Sequence, residues 1–218
     1  MVTYEYTSLT NVQNELRATT AFSSSTSPTN TAVSRWIEEA SDTINHLAGD
    51  VFGVTSYDEY IDYNSEDTIL VKHSPIISVS SITYATVDVG LSGRSSSWVT
   101  KTEDTDYLVY TDRGTIDIIW ANWQPSDGKK RIRVQYTGGY AEVPPRIQEL
   151  CTKMVALRAL DTLMASNVNS GNSGGSVSVG SISIVEPADF GIGSYKKLRD
   201  DIEMLKKEVV SGFGIHRY

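Results

Sequence analysis

The chain has 218 residues, 39% hydrophobic and 21% charged, enough to bury an interior in one domain or in a core carrying one sizeable insertion. That composition argues against wholesale disorder, and no apolar run approaches the roughly 20 residues of a membrane-spanning helix. A formal net charge of -8 argues against tight, sequence-independent DNA binding, which sets many Lys and Arg side chains against phosphates.

Met1-Val2-Thr3-Tyr4-Glu5 lacks the basic and apolar regions of a signal peptide, so the expected setting is the cytoplasm or a particle assembled there. Leu9, Val12 and Leu16 fall near one face of a short first helix, in which Thr10 and Gln13 have the spacing of a capping box. Residues 19–30 are dominated by Ser, Thr, Asn and Pro28 and read as a linker or mobile loop. A second helix is expected over 31–48, with Val33, Trp36, Ile37, Ala40, Ile44 and Leu47 spaced by three and four. Gly49 ends it.

From residue 51 to 140 the hydrophobic period shifts to two. Strands are expected over 68–72, 79–84, 107–110, 115–120 and 131–136, forming a small antiparallel sheet or barrel. Asp112-Arg113-Gly114 reads as a tight hairpin connection, and Ser126-Asp127-Gly128 as the turn joining the last two strands. The Gly- and Ser-rich stretch 87–97 reads as an exposed loop. Lys129-Lys130-Arg131 with Arg133 is too small a basic run for DNA and reads as a charged turn and strand edge that discourages edge-to-edge pairing.

The most informative stretch closes this region. Arg131, Arg133 and Gln135 alternate with Ile132, Val134 and Tyr136, and Gly138-Gly139 then allows the positive φ at which a strand stops. Pro144-Pro145 restarts the chain as a helix, because proline's missing N–H has no partner at the first helical position anyway. The third helix is expected over 145–164, its broad apolar face formed by Ile147, Leu150, Cys151, Met154, Leu157, Leu160, Leu163 and Met164. Residues 166–180, nearly all Ser, Asn, Gly and Val, read as a flexible loop. A last helix over 194–210 carries a narrow apolar seam, Tyr195, Leu198, Ile202, Leu205 and Val209, open either to its own frame or to a neighbouring subunit. The arm beyond it contains Gly212, Phe213, Gly214, Ile215, His216, Arg217 and Tyr218. The fold class is therefore α+β: a small α-helical bundle with an antiparallel β insertion between the second and third helices, then a loop and a C-terminal helix with a short arm. Its parts are residues 1–50, 51–140 and 141–218, with the loop at 166–180 and the arm at 211–218.

Catalytic and metal motifs are absent from the sequence. His46, His73 and His216 have no second His or Cys at metal-ligand spacing, and no nucleophile elbow, P-loop or dinucleotide fingerprint occurs, so no metal or cofactor is expected. The single Cys151 lies in a helical apolar pattern and reads as a small buried hydrophobe. Asp62-Tyr63-Asn64-Ser65-Glu66-Asp67 lacks the sixth-position glycine and distal glutamate of a calcium loop and reads as a polar turn. Glu103, Asp104 and Asp106 could offer a carboxylate pair for an enzyme, and a solvated turn before the strand at Tyr107 explains them as well.

The strand–Gly-Gly-Tyr–Pro-Pro–helix seam, with a β region set between helices and a short arm after the last one, resembles the head–tail connector (adaptor, head completion) proteins of long-tailed bacteriophages and related viruses. Ser74-Pro75-Ile76-Ile77-Ser78-Val79, followed by Ile82, is similar to the family's early strand. The resemblance covers most of the chain in plan. It implies a non-enzymatic virion protein of the neck: a homo-oligomeric ring of twelve copies beneath the portal protein, extending the DNA channel and receiving a head-closure (stopper) or tail protein. Genomic DNA would pass through without sequence-specific contact, no membrane would be involved, and the negative balance would keep DNA from adhering. The arm 212–218 would dock on the portal, and the seam would pack on its own frame or in part on a neighbour. The alternative is a carbohydrate- or surface-binding module of a virion presenting Trp98, Trp120, Trp123 and Tyr110, although the alternation of Trp120 with Ile118 and Ile116 points it inward.

Overall fold

The computed structural model describes residues 4–85, 97–123, 125, 127–168, 177–179, 182–184 and 192–213. In chain order the elements are α1 (Leu9–Glu15), α2 (Asn30–Ala48), β1 (Thr55–Tyr63), β2 (Thr68–Leu70), β3 (Ile76–Ala85), β4 (Trp98–Lys101), β5 (Tyr107–Tyr110), β6 (Thr115–Ile118), β7 (Gly128–Gly138), α3 (Pro145–Val168), β8 (Val177–Val179), β9 (Ile182–Ile184) and α4 (Ile192–Phe213). The chain is mixed α/β with antiparallel sheets and divides into two compact units, Met1–Asp50 with Val143–Tyr218, and Val51–Glu142.

In the helical unit, α1 is capped by Ser8, whose extended backbone lets its hydroxyl accept from the Asn11 amide at 3.2 Å. The expected cap, Thr10, lies inside the helix instead. Residues 19–30 are a packed turn rather than a mobile loop: Phe22 and Thr26 are buried, and the Thr26 hydroxyl accepts from the Ser23 amide at 2.9 Å and donates to the Pro28 carbonyl at 2.8 Å. Thr29 caps α2, and Gly49, at φ 72°, ends it. Val33, Trp36, Ile37, Ala40 and Ile44 are buried at the predicted spacing, whereas Leu47 is 36% exposed and Ala48 takes the inward position.

Pro144 opens α3 by accepting from the Ile147 and Gln148 amides at 2.9 and 3.0 Å, which leaves Pro145 at the first helical position. Helix α3 packs on α1, α2 and α4, which is why its apolar positions spread around much of the helix. Ile147, Leu150 and Leu163 are fully buried, each contributing about 1.5–3 kcal/mol, and Ala156 and Ala159 have no exposed surface. Ser41 joins the layers, donating to the Ile37 carbonyl at 2.8 Å and accepting from the Tyr6 amide at 3.1 Å.

The expected loop at 166–180 is partly regular: α3 continues to Val168, and β8 pairs antiparallel with β9. Residues 169–176 and 180 lie outside the described residues. Helix α4 continues past residue 210 to Phe213, so Gly212 and Phe213 of the expected arm are helical. Gly214, Ile215, His216, Arg217 and Tyr218 lie outside the described residues.

The second unit holds two sheets, β1-β7-β3-β4 and β2-β6-β5. They share one apolar cluster, with Ile82, Ile116, Ile132 and Val134 fully buried. The period-two pattern anticipated β2, β3, β5, β6 and β7, but β1 and β4 were not foreseen, and β6 stops at Ile118, before Trp120. The β5–β6 hairpin forms as expected, with the Gly114 amide donating to the Tyr110 carbonyl at 3.0 Å and Gly114 at φ 66°. Ser126-Asp127-Gly128 does not join paired strands: β6 and β7 belong to different sheets, Gly128 opens β7, and Ser126 lies outside the described residues. The basic run is a strand edge only in part. Lys129 and Lys130 are exposed beyond the last residue that β7 pairs with β3, Ile132, whereas Arg131 is buried and Arg133, between β1 and β3, meets Asp58 at 2.6 Å. Of the expected loop 87–97, only Ser97 is described, and it is exposed.

Candidate interaction surfaces

In the β unit the most specific arrangement lies beneath the glycine turn. Glu59 sits opposite Val134 in the sheet and points into the interior, only 9% exposed. The Tyr136 hydroxyl donates to one of its oxygens at 2.6 Å, and the Lys72 amide to the other at 3.2 Å. The same hydroxyl accepts from the His73 amide at 3.1 Å, and the His73 ring stacks on Tyr57 with centroids 4.0 Å apart. Burial, and then the hydrogen bond to Glu59, push the Tyr136 phenol well above its ordinary range. Chemically this is a clamp: a buried carboxylate satisfied by a phenol and an amide ties the β2–β3 connection to β1 and β7.

The other carboxylates considered in the sequence brace loops. Asp62 accepts from the Lys130 amide at 2.7 Å, Asp67 takes the Trp120 indole N–H, and Asp106 accepts from the Thr102 amide at 2.9 Å. Glu103 and Asp104 stay exposed in that last turn. Among the described residues no group of three or more His, Cys, Asp or Glu gathers as metal ligands would, and no helix is long and apolar enough to cross a membrane. His46 pairs with Asp42 at the surface, and His216 lies outside the described residues. Cys151 is fully buried, and burial pushes its thiol up to about 11, so it stays protonated at neutral pH.

The four aromatic residues of the alternative reading separate. Trp123 is in the core, Trp120 and Trp98 are half-buried, and only Tyr110 is exposed. Tyr110 instead shares the outer face of the three-stranded sheet with Leu70 and Leu108, which are 66% and 39% exposed.

In the helical unit, the expected seam on α4 divides. Ile202, Leu205 and Val209 are 4%, 0% and 1% exposed and are covered by the chain's own helices. Tyr195 and Leu198 are half-buried, and the Tyr195 hydroxyl donates to Asp161 at 2.7 Å. Gly212 and Phe213 close the last turn of α4, with nothing within 4 Å of where a Gly212 Cβ would stand.

A groove of about 240 Å³ lies between the end of α1, the middle of α3 and the first turns of α4. Lys153 stands in it, 3.4, 3.9 and 3.2 Å from carboxylates of Glu15, Glu149 and Asp201. Burial works against the Lys153 ammonium, but the Asp201 hydrogen bond and the Glu15 charge outweigh it and raise the pKa. Sequence reasoning passed over this groove because its walls come from three helices far apart in the chain. Its one local signal is Arg17, which follows the end of α1 at φ 52°, a left-handed position that helices commonly give to glycine.

No protein-family profile matches the sequence, and no curated protein matches it. Solved structures do. One is a chain from the neck of an empty gene transfer agent (GTA) particle computed with C6 symmetry, at 12% sequence identity and TM-score 0.51, covering 100% of this chain and 97% of that one. Another is from the neck of the native GTA particle computed with C12 symmetry, at 13% identity and TM-score 0.47, covering 100% and 97%. At such identity the likeness is one of fold.

Proposed function

We propose that the chain is a structural adaptor of the head–tail neck of a tailed virus or phage-like particle. The observation that carries this reading is the end-to-end fold likeness to a neck chain, over 100% of this chain at TM-score 0.51. The glycine seam and the helix-bounded β region, read independently from the sequence, support the same family. In this reading the helices form a frame and residues 51–140 a β insertion between the second and third of them. Twelve copies, a number compatible with the six-fold symmetry computed for that neck, form a ring beneath the portal and lengthen the DNA channel. The far side of the ring receives a stopper or tail protein. The net charge of -8 supports a channel that DNA traverses without adhering.

The role is structural, and the residues supporting it are those that brace rather than react, such as the buried thiol of Cys151 and the satisfied carboxylate of Glu59. Of the expected seam, Ile202, Leu205 and Val209 hold α4 to its own frame, while Tyr195 and Leu198 keep surface for a neighbour. The carbohydrate-module alternative has less support, since three of its four aromatic residues are buried or half-buried.

Negative-stain imaging of the purified protein, alone and with the portal protein of the same particle, tests the proposal. Twelve-fold rings stacked coaxially on the portal are expected. Portal particles unchanged by the protein at saturating concentration would sink it.

A further inference from the structure

The groove between α1, α3 and α4 has an apolar floor and charges it does not match. Leu16, Ala156 and Leu160 form the floor, each under a tenth exposed, and Leu198 stands half-buried on the wall. The Lys153 ammonium is already held by three carboxylates. Arg17 and Lys197 on the rim differ, since neither side chain makes a hydrogen bond or ion pair among the described residues. An apolar floor under two uncommitted cations fits an apolar side chain accompanied by carboxylates, not a bare phosphate backbone, which would gain nothing from the floor.

The chain itself carries a segment of that chemistry. Glu103 and Asp104 are exposed and make no ion pair among the described residues. Their turn is held rigid: the Thr102 amide donates to Asp106, the Asp104 amide to the Tyr107 carbonyl, and the Asn122 side chain to the Thr105 carbonyl. Leu108, exposed at 39%, follows on β5. We propose that the groove of one copy receives the Glu103–Asp104 turn of a second copy, with Arg17 and Lys197 meeting the two carboxylates. Groove and turn are different surfaces, so the contact is head-to-tail and repeats around an axis until it closes. The inference rests on the ring reading above and names the side chains that would join its subunits.

The test mixes equal amounts of unlabelled and 15N-labelled full-length protein, alone and with portal protein, and treats them with a zero-length carbodiimide. This reagent joins an amine to a carboxylate only where the two touch. Peptides linking Lys197 to Glu103 or Asp104 are expected, with one label of each kind in about half of them, as random pairing of copies requires. If every link carried a single label, the contact would lie within one chain and the inference would be overturned. In parallel, Arg17→Glu with Lys197→Glu is expected to reduce the ring fraction by at least about tenfold, and adding Glu103→Lys with Asp104→Lys to restore it. All four side chains are exposed, so an unchanged thermal midpoint checks that the variants fold. Full-strength rings from the protein carrying only Arg17→Glu and Lys197→Glu would overturn the inference while leaving the ring intact. No rings and no mixed-label links from the unaltered protein would remove both.

Discussion

Gly139 is pressed against Gly53: a Cβ on Gly139 would stand 2.3 Å from the Gly53 carbonyl oxygen, at a φ of 106°. The Gly139 amide meanwhile donates to the Pro75 carbonyl at 2.9 Å, so the turn cannot swing away without losing that bond. Gly139→Ala combines overpacking, about 1–3 kcal/mol, with a forced positive φ, about 1–3 kcal/mol, and is expected to cost about 2–6 kcal/mol in urea unfolding followed by tryptophan fluorescence. Gly138→Ala is milder, about 1–2 kcal/mol, because its nearest neighbours, the His73 carbonyl oxygen and Tyr136 ring, stand at 3.1 Å. Equal stability of Gly139→Ala and the unaltered protein would contradict this account of the turn.

The Tyr136 hydroxyl serves two partners, and its bond to Glu59 depends on its proton staying in place. Tyr136→Phe leaves Glu59 with the Lys72 amide as its remaining donor among the bonds described, at an expected cost of about 1–3 kcal/mol at neutral pH. The sign with pH follows from linkage. The folded-state phenol pKa is raised above the ordinary value of about 10, so above that pH the unfolded chain releases a proton that the folded one retains. The stability it contributes is complete below about pH 10 and is lost as pH rises further. Alkaline unfolding followed by circular dichroism is therefore expected to be less steep in Tyr136→Phe. An identical pH dependence would mean that Tyr136 ionises freely in the folded protein.

These two sites mark what the sequence could and could not reveal. The glycine pair and the prolines were readable because each compensates for a backbone constraint that any chain shares. Helix α2 was readable because one side of it is buried, so the three-and-four spacing survives. Strand β1 escaped because Asp58, Glu59 and Asp62 mask its alternation. Glu59 occupies an inward position that only a distant phenol and amide make tolerable. The basic run on β7 misled for the same reason: Arg133 is matched by Asp58, 75 residues away, and no local pattern encodes that pairing. The groove at Arg17 has its partners spread over three helices. Local chemistry was legible; satisfaction of charge at long range was not.

Helix α4 separates residues that hold the frame from residues with surface to offer a neighbour. Leu205 has no exposed surface, and Leu205→Ala should cost about 2–5 kcal/mol through lost burial and the cavity left behind. Leu198, half-buried on the groove wall, should cost under about 1 kcal/mol when truncated to alanine. Its effect is expected in assembly instead, as a raised protein concentration for half-maximal ring formation by mass photometry. If Leu198→Ala lowered the unfolding midpoint as far as Leu205→Ala, the division of the seam would be wrong.

Residues 212–218, from the last turn of α4 onward, are the segment proposed to reach the portal. Leu205 and Val209, buried at 0% and 1%, secure the last turns of the helix, whereas Gly212 is exposed with open space around it. Removing residues 212–218 leaves these buried positions in place, and the thermal midpoint is expected to stay within about 2 °C of the full chain. Portal binding should respond differently. Phe213, Ile215 and Tyr218 are the apolar anchors this segment can offer. Loss of these anchors is expected to take binding below detection in a pull-down on immobilised portal. Full retention by the truncated protein would take the arm out of the joint and leave the portal contact to the folded units.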